Sequence, residues 1–127
     1  MENASVQLPR LTSLKLNKEF KRAYYQGGYK AHPLLVSYRV RNRFHVPRIG
    51  ITTGKKVGCA VRRNRAKRVI RQACRELMGE EPQLFGGFDF VFVARDKTPD
   101  SNTQEVKKVM RRQLTALKNP PPKGASR

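Results

Sequence analysis

The sequence predicts a small mixed α/β fold, a two-layer sandwich in the order helix, two strands, an optional third strand, helix, strand and helix. Its 127 residues are a length typical of one domain that buries a modest core. Apolar residues recur with a helical period in some segments and a strand period in others, and the two kinds interleave without a linker. We therefore expect one domain over residues 14–118, a mobile segment at 1–13 and a disordered Pro-rich basic tail at 119–127.

The first helix and the next strands are marked by turn residues and by alternation. Asn17 can cap a short helix, NKEFKRAYYQ, that stops at the pair Gly27–Gly28. The segment LLVSYRV (34–40) alternates as a strand does, and RIGITT (48–53) forms another strand after the polar turn RNRFHVP. One side of the first of these strands carries Leu34, Val36, Tyr38 and Val40.

The last strand and the last helix have equally clear patterns. FDFVFVA (88–94) is apolar on both sides, which favours a central strand that is covered on both faces. EVKKVMRRQLTALK (105–118) has a helical period, and either Ser101 with Gln104 or Asn102 with Glu105 could form its capping box. Its apolar stripe consists of Val106, Val109, Met110, Leu114 and Leu117.

The middle helix is predicted within KKVGCAVRRNRAKRVIRQACR (55–75), a segment rich in Lys and Arg that contains no acidic residue. Winding 60–78 at about 100° per residue separates an apolar stripe from a cationic face. The stripe consists of Ala66, Val69, Ile70, Ala73, Cys74 and Leu77. The cationic face consists of Asn64, Lys67, Arg68, Arg71 and Arg75, with Arg65 at its flank, Arg62 and Arg63 in the first turn, and Lys55 and Lys56 in the preceding loop. Such a row suits a line of phosphates, because Arg binds phosphate through two parallel hydrogen bonds.

The overall charge indicates a polyanionic partner. The chain has 28 Lys and Arg against 9 Asp and Glu, a net charge of +19. Nucleic acid is favoured over an anionic membrane, and the chain has neither a run of apolar residues long enough to span a bilayer nor a secretory signal pattern. We expect a cytoplasmic protein. A ribosomal protein and a DNA-binding helix module remain alternatives, although the strands around the basic segment disfavour a helix-turn-helix.

The sequence gives little support for chemistry by the protein itself. Its acidic residues are few and scattered, and His32 and His45 are best interpreted as neutral loop residues. The two cysteines form no CxxC motif, and Cys74 is predicted to be a small buried residue. We therefore predict no catalytic residue and no metal site in the protein.

Residues 55–71, KKVGCAVRRNRAKRVIR, resemble the signature of the bacterial ribonuclease P protein family, a pattern close to K-[KR]-x-G-x-A-V-x-R-N-R-x-K-R-x-x-R. The segments 14–20, 48–51 and 89–95 also resemble the family. The resemblance implies an α/β fold like that of the second domain of ribosomal protein S5, with a left-handed βαβ crossover around the basic helix.

The resemblance also implies a function. It predicts a protein subunit, in a 1:1 complex with a catalytic RNA, that helps to remove the 5′ leader from precursor tRNA. Mg²⁺ would act in the RNA active site, and the protein itself would hold no cofactor. The residues implied to bind the catalytic RNA are Lys55, Lys56, Arg62, Arg63, Asn64, Arg65, Lys67, Arg68, Arg71 and Arg75. Those implied to bind the leader are Phe20, Tyr24, Val36 and Tyr38, on the principle that unpaired bases stack on aromatic rings.

Overall fold

The computed structural model describes residues 12–14 and 17–118. Its helices are α1 (Asn17–Gln26), α2 (Ala60–Glu80) and α3 (Thr103–Lys118). Its strands are β1 (Thr12–Ser13), β2 (Gly28–His32), β3 (Leu35–Arg41), β4 (Arg48–Thr52) and β5 (Phe88–Ala94). Of the ends predicted to be mobile, residues 1–11 and 119–127 lie outside the described residues, whereas Thr12 and Ser13 pair with β4.

The five strands form one sheet in the order β1-β4-β5-β3-β2, which confirms the predicted α/β class. β4 and β5 are parallel neighbours joined through α2, and this arrangement is a βαβ unit. β3 runs antiparallel to β5, and β2 forms a hairpin with β3. Three strands lie between α1 and α2, as the optional third strand allows, but the additional strand is β2, which precedes the two predicted strands instead of following them. β1 is a further short strand before α1. The central position predicted for β5 is confirmed, since the strand has neighbours on both sides and is largely buried.

The main core lies between one face of the sheet and the helices α2 and α3. The rings of Phe90 and Phe92 stack with centroids 6.1 Å apart, and both side chains are fully buried. The predicted stripe of α2 is confirmed, because its side chains are buried except for the partly exposed Val69. Each fully buried large apolar side chain contributes about 1.5–3 kcal/mol. This packing fixes which side of α2 faces outward.

The opposite face of the sheet carries α1 and a second, smaller core. Ala23 of α1 packs there with Leu14, Val40 and Val91. The two predicted layers are the sheet and the helices α2 and α3. The helix α1 covers part of the other face of the sheet. Gly50 makes this packing possible, because a Cβ at that position would lie 2.5 Å from Cε1 of Phe20.

The last helix, α3, begins directly after Asn102, as expected if Asn102 with Glu105 is the capping box. The Asn102 side-chain oxygen accepts a hydrogen bond of 2.9 Å from the Glu105 backbone N–H, as an N-cap residue does. Ser101 instead donates its hydroxyl to the Thr98 carbonyl. α3 is also joined to α2 by ion pairs of Lys107 with Glu76 and Glu80.

Candidate nucleic-acid interface

The outer face of α2 presents three cations, Lys67, Arg68 and Arg71, that form no ion pair with the described carboxylates. Asn64, Arg68 and Arg71 are exposed, and Lys67 is half-buried. Within residues 12–14 and 17–118, no carboxylate lies within ion-pair distance of Lys67, Arg68 or Arg71. Since like charges on one helix face repel each other, this row is stabilised only when an external anion lies against it.

A shallow groove extends this cationic face toward the start of α3. It lies between the two helices and is open to solvent along its length. Its walls are formed by Arg68, Val69, Arg71, Gln72, Arg75 and Thr103. The three arginines that line this groove give it the positive charge expected of a contact for a phosphate backbone.

The first turn of α2 is different, because its arginines are engaged by the protein. Arg62 forms two hydrogen bonds of 3.1 Å with the Asp100 carboxylate and donates to the carbonyls of Val57 and Asp96. These hydrogen bonds from Arg62 lower the pKa of Asp100 below its ordinary value. Arg62, predicted to contact RNA, therefore ties α2 to the segment that precedes α3.

Arg63 in this turn and Arg65 in the next are held through Nε alone. Arg63 donates from Nε to the Gly58 carbonyl at 2.9 Å, and Arg65 donates to the Pro99 carbonyl at 2.5 Å. Gly58 has φ of +118°, a conformation that side chains rarely adopt, and it turns the chain into α2. These hydrogen bonds orient both guanidinium groups before any ligand arrives, while their terminal nitrogens form no hydrogen bond within the described residues.

The four residues predicted to bind a leader lie together on the opposite face of the sheet. Phe20 and Tyr38 are partly buried against the small core beneath α1. Tyr24, on the last turns of α1, is 37% exposed, and its ring meets Tyr38 edge-on with centroids 4.9 Å apart. Val36 lies further along β3 on the same face. We call this surface, formed by Phe20, Tyr24, Val36 and Tyr38, the aromatic cleft.

Sequence reasoning missed a third tyrosine in this cleft. Tyr29 on β2 pairs in register with Tyr38 on β3, and their rings stack with centroids 5.4 Å apart and planes 26° apart. β2 is a short strand that directly follows the glycine pair, so its alternation is brief. The sequence signal for this strand was that Tyr29 and Ala31 are two residues apart and would therefore lie on the same side of it.

Lys55 and Lys56 share a groove with Val36, one of the four residues of the aromatic cleft. Both lie in a 3₁₀ turn, Lys55–Val57, between β4 and α2. This turn lines one groove with Val36 and Val93 of the sheet. The two lysines, predicted to extend the α2 row, thus also add positive charge beside Val36, the end of the predicted leader surface on β3.

A buried carboxylate anchors α1 and the turn between β3 and β4. Asp89 is almost fully buried and accepts hydrogen bonds of 2.8 and 2.7 Å from Arg48, and one of 2.8 Å from Asn42. Arg48 also bonds Glu19 of α1 at 2.8 Å. Burial acts to raise the pKa of Asp89, but the hydrogen bonds from Arg48 and Asn42 overcome that effect, and its pKa lies below the ordinary value.

Two further side chains of a reactive type, His32 and Cys74, are engaged by the fold itself. The backbone N–H of Leu34 donates to Nδ1 of His32, the last residue of β2, at 3.0 Å. Cys74 is buried as predicted, and burial raises the pKa of its thiol to about 12. Across the described part of the chain, no group of three His, Cys, Asp or Glu side chains converges as a metal site, and no helix there is long and apolar enough to cross a membrane.

Comparisons of sequence identify a family. The family model described as Ribonuclease P matches residues 8–118. A ribonuclease P protein component from Clostridium botulinum (strain 657 / Type Ba4) is 33% identical over 97 residues, which cover 76% of this chain and 86% of the relative. Another, from Caldanaerobacter subterraneus subsp. tengcongensis, is 37% identical over 105 residues, which cover 83% of this chain and 88% of the relative.

Comparisons of structure agree. The RNase P protein of Staphylococcus aureus superposes with a TM-score of 0.71 at 28% identity, covering 86% of this chain and 97% of the other. The RNase P protein of Thermotoga maritima superposes with a TM-score of 0.65 at 25% identity, covering 84% and 94%.

Proposed function

The chain belongs to the ribonuclease P protein family, and from this premise we propose that it is the protein subunit of a ribonuclease P that removes the 5′ leader of precursor tRNA. It would act in the cytoplasm in a 1:1 complex with a catalytic RNA. The observation that carries this assignment is the row of Lys67, Arg68 and Arg71 on a rigid helix, which no carboxylate of the described residues neutralises.

We assign the catalytic RNA to the outer face of α2. Each Lys or Arg that contacts a phosphate releases condensed counterions, and this release drives association in moderate salt. The helix is held at both ends of this face, by Arg62 at Asp100 and by Lys107 at Glu76. The cations are therefore presented on a fixed spacing, which lowers the entropy lost on binding a structured RNA.

We assign the leader to the aromatic cleft. Stacking of a base on an aromatic ring contributes about 1–3 kcal/mol and tolerates any sequence, because every base has a π-face. An enzyme that processes many different precursors needs this tolerance. Lys55 and Lys56, which border the groove beside Val36, supply charge for the phosphates of the same strand.

The proposed division of labour leaves bond cleavage to the RNA. When bound there, Mg²⁺ would supply the Lewis acid for phosphodiester hydrolysis. Several of the described carboxylates form ion pairs with cations: Asp89 with Arg48, Asp100 with Arg62, and Glu80 with Lys107. The protein would contribute by reducing the repulsion between two RNAs, so that the precursor and Mg²⁺ bind at lower Mg²⁺ concentration.

The deciding experiment is cleavage of a precursor tRNA by the ribonuclease P RNA at low Mg²⁺, with and without this chain. We expect cleavage at the mature 5′ end only when the protein is present, and we expect the difference to shrink at high Mg²⁺. An equally basic protein of another family serves as the control for unspecific charge screening. Equal stimulation by that control, or no stimulation by this chain, would contradict the assignment.

A further inference from the structure

Tyr24, Tyr29 and Tyr38 form one cluster at the aromatic cleft, and each ring makes different contacts within it. Tyr38 is in the centre. Tyr24 meets it edge-on, with planes 74° apart, and Tyr29 lies over it as an offset stack at 26°. The central ring is thus flanked on two sides by side chains of this protein.

A base that stacks on a tyrosine needs an open ring face. The exposed fractions of the three tyrosines differ, and this difference indicates which ring offers such a face. Tyr29 is 58% exposed and Tyr24 is 37% exposed. Tyr38 is half-buried, and burial, followed by its two tyrosine neighbours, raises the pKa of its hydroxyl. Tyr29, which is covered by Tyr38 on one side, is therefore the most exposed tyrosine of the cluster.

Tyr29 is also held in place before any ligand binds. Its strand pairs residue by residue with β3 along Gly28–His32. From the other face of the sheet, Gln113 of α3 donates to the carbonyls of Lys30 and Leu35, one on each strand of this hairpin. A ring on such a support loses little conformational freedom on binding, which favours affinity.

We propose that Tyr29 is the residue on which an unpaired base of the leader stacks, and that Tyr38 positions the Tyr29 ring from behind. This inference rests on the proposed function, and it identifies the ring on which a base of the leader stacks. The recognised group is a nucleobase in a single strand. Purines are preferred over pyrimidines, because the larger ring system covers more of the tyrosine face.

The test uses the reconstituted holoenzyme and precursor tRNAs that carry the fluorescent purine 2-aminopurine at successive leader positions. We expect quenching at one position with the unmodified protein. Tyr29→Leu abolishes that quenching and weakens precursor binding by about fivefold or more, the equivalent of one lost stack. Tyr29→Phe retains both, since the ring suffices. Binding of mature tRNA is unchanged in every variant.

The chain supplies a matched control in Tyr25. This α1 residue is 85% exposed and makes no ring contact with another described aromatic residue. Tyr25→Leu removes the same atoms from a neighbouring surface, and we expect quenching and affinity to remain as in the unmodified protein. Equal effects at Tyr25 and Tyr29 would overturn the inference.

Two further results would overturn it and can be told apart. If Tyr29→Leu leaves quenching intact while Tyr38→Leu abolishes it, the base stacks on Tyr38, and the proposed function stands without this inference. If the unmodified holoenzyme binds precursor and mature tRNA equally well, the proposed leader site is wrong and the inference falls with it. A loss for both tRNAs with Tyr29→Leu would show that the ring is only structural.

Discussion

The cationic face of α2 and the aromatic cleft differ in how many parts of the chain each one needs. The cationic face is made by one helix, whose opposite stripe is buried against the sheet. The cleft combines α1, the hairpin of β2 and β3, and the turn before α2. A surface built on one helix survives small displacements, whereas a cleft built from several elements depends on every contact that holds them together. Each of the following variants affects one surface and spares the other.

The largest effect is expected from removing the anchor beneath α1. Asp89→Ala leaves Arg48 and Asn42 without their shared partner, and breaking such a buried pair lowers the free energy of unfolding by about 3 kcal/mol. Chemical denaturation measures this loss. Precursor discrimination should fall in the same variant, while the catalytic RNA still binds the folded fraction. An Asp89→Asn variant keeps a side chain of the same shape, and we expect it to be less destabilised.

The same carboxylate predicts a pH dependence. The pKa of Asp89 in the folded protein lies below its ordinary value, so its contribution to stability is fully present above the unfolded value, near 3.9. That contribution is lost as the pH falls through the lowered, folded value. Denaturation at pH 3 and at pH 6 should therefore differ less in Asp89→Asn than in the unmodified protein. An equal difference in both would show that other groups dominate the acid sensitivity.

The next effect concerns the cationic face. Arg68→Ala with Arg71→Ala removes two exposed guanidinium groups from α2, and we expect affinity for the catalytic RNA to fall by about tenfold or more. The slope of log affinity against log salt should become shallower by about 1 to 2, because fewer phosphates are neutralised. Filter binding over a range of salt concentrations measures both.

A control for charge alone is available on α3. Lys108 and Arg112 are exposed cations that lie outside both surfaces. Lys108→Ala with Arg112→Ala removes the same net charge, and we expect a much smaller change in affinity and slope. If the two double variants behave alike, RNA binding depends on the total charge and has no preferred face.

The smallest effect is expected from Gly50→Ala, which alters the cleft by a single methyl group. The added Cβ would lie 2.5 Å from Phe20, so the ring or α1 must shift. Overpacking of this kind costs about 1–3 kcal/mol. We expect a lower melting temperature and weaker discrimination between precursor and mature tRNA, with unchanged affinity for the catalytic RNA. Unchanged discrimination would show that the position of Phe20 does not matter for the leader.

Periodicity along single elements was a reliable guide in this chain. The first helix was placed at its observed bounds, and the buried stripe of α2 was predicted nearly residue by residue. Arg62 shows the limit of this reasoning. Its position on the helix is the same whether it faces RNA or Asp100, and only the packing of the segment before α3 brings the carboxylate to it.

The amino-acid sequence by itself determined the α/β class, the central position of β5 and the two-sided nature of α2. Each of these follows from hydrophobic periodicity within one segment, which local geometry converts directly into a face. Only the tertiary structure decided that Tyr29 stacks on Tyr38, that Lys55 and Lys56 border the cleft, and that Asp89 anchors α1 through Arg48. These contacts join side chains of different elements, and the distances between them are set by how the strands pair and in what order they lie in the sheet, which the period of a single segment does not give.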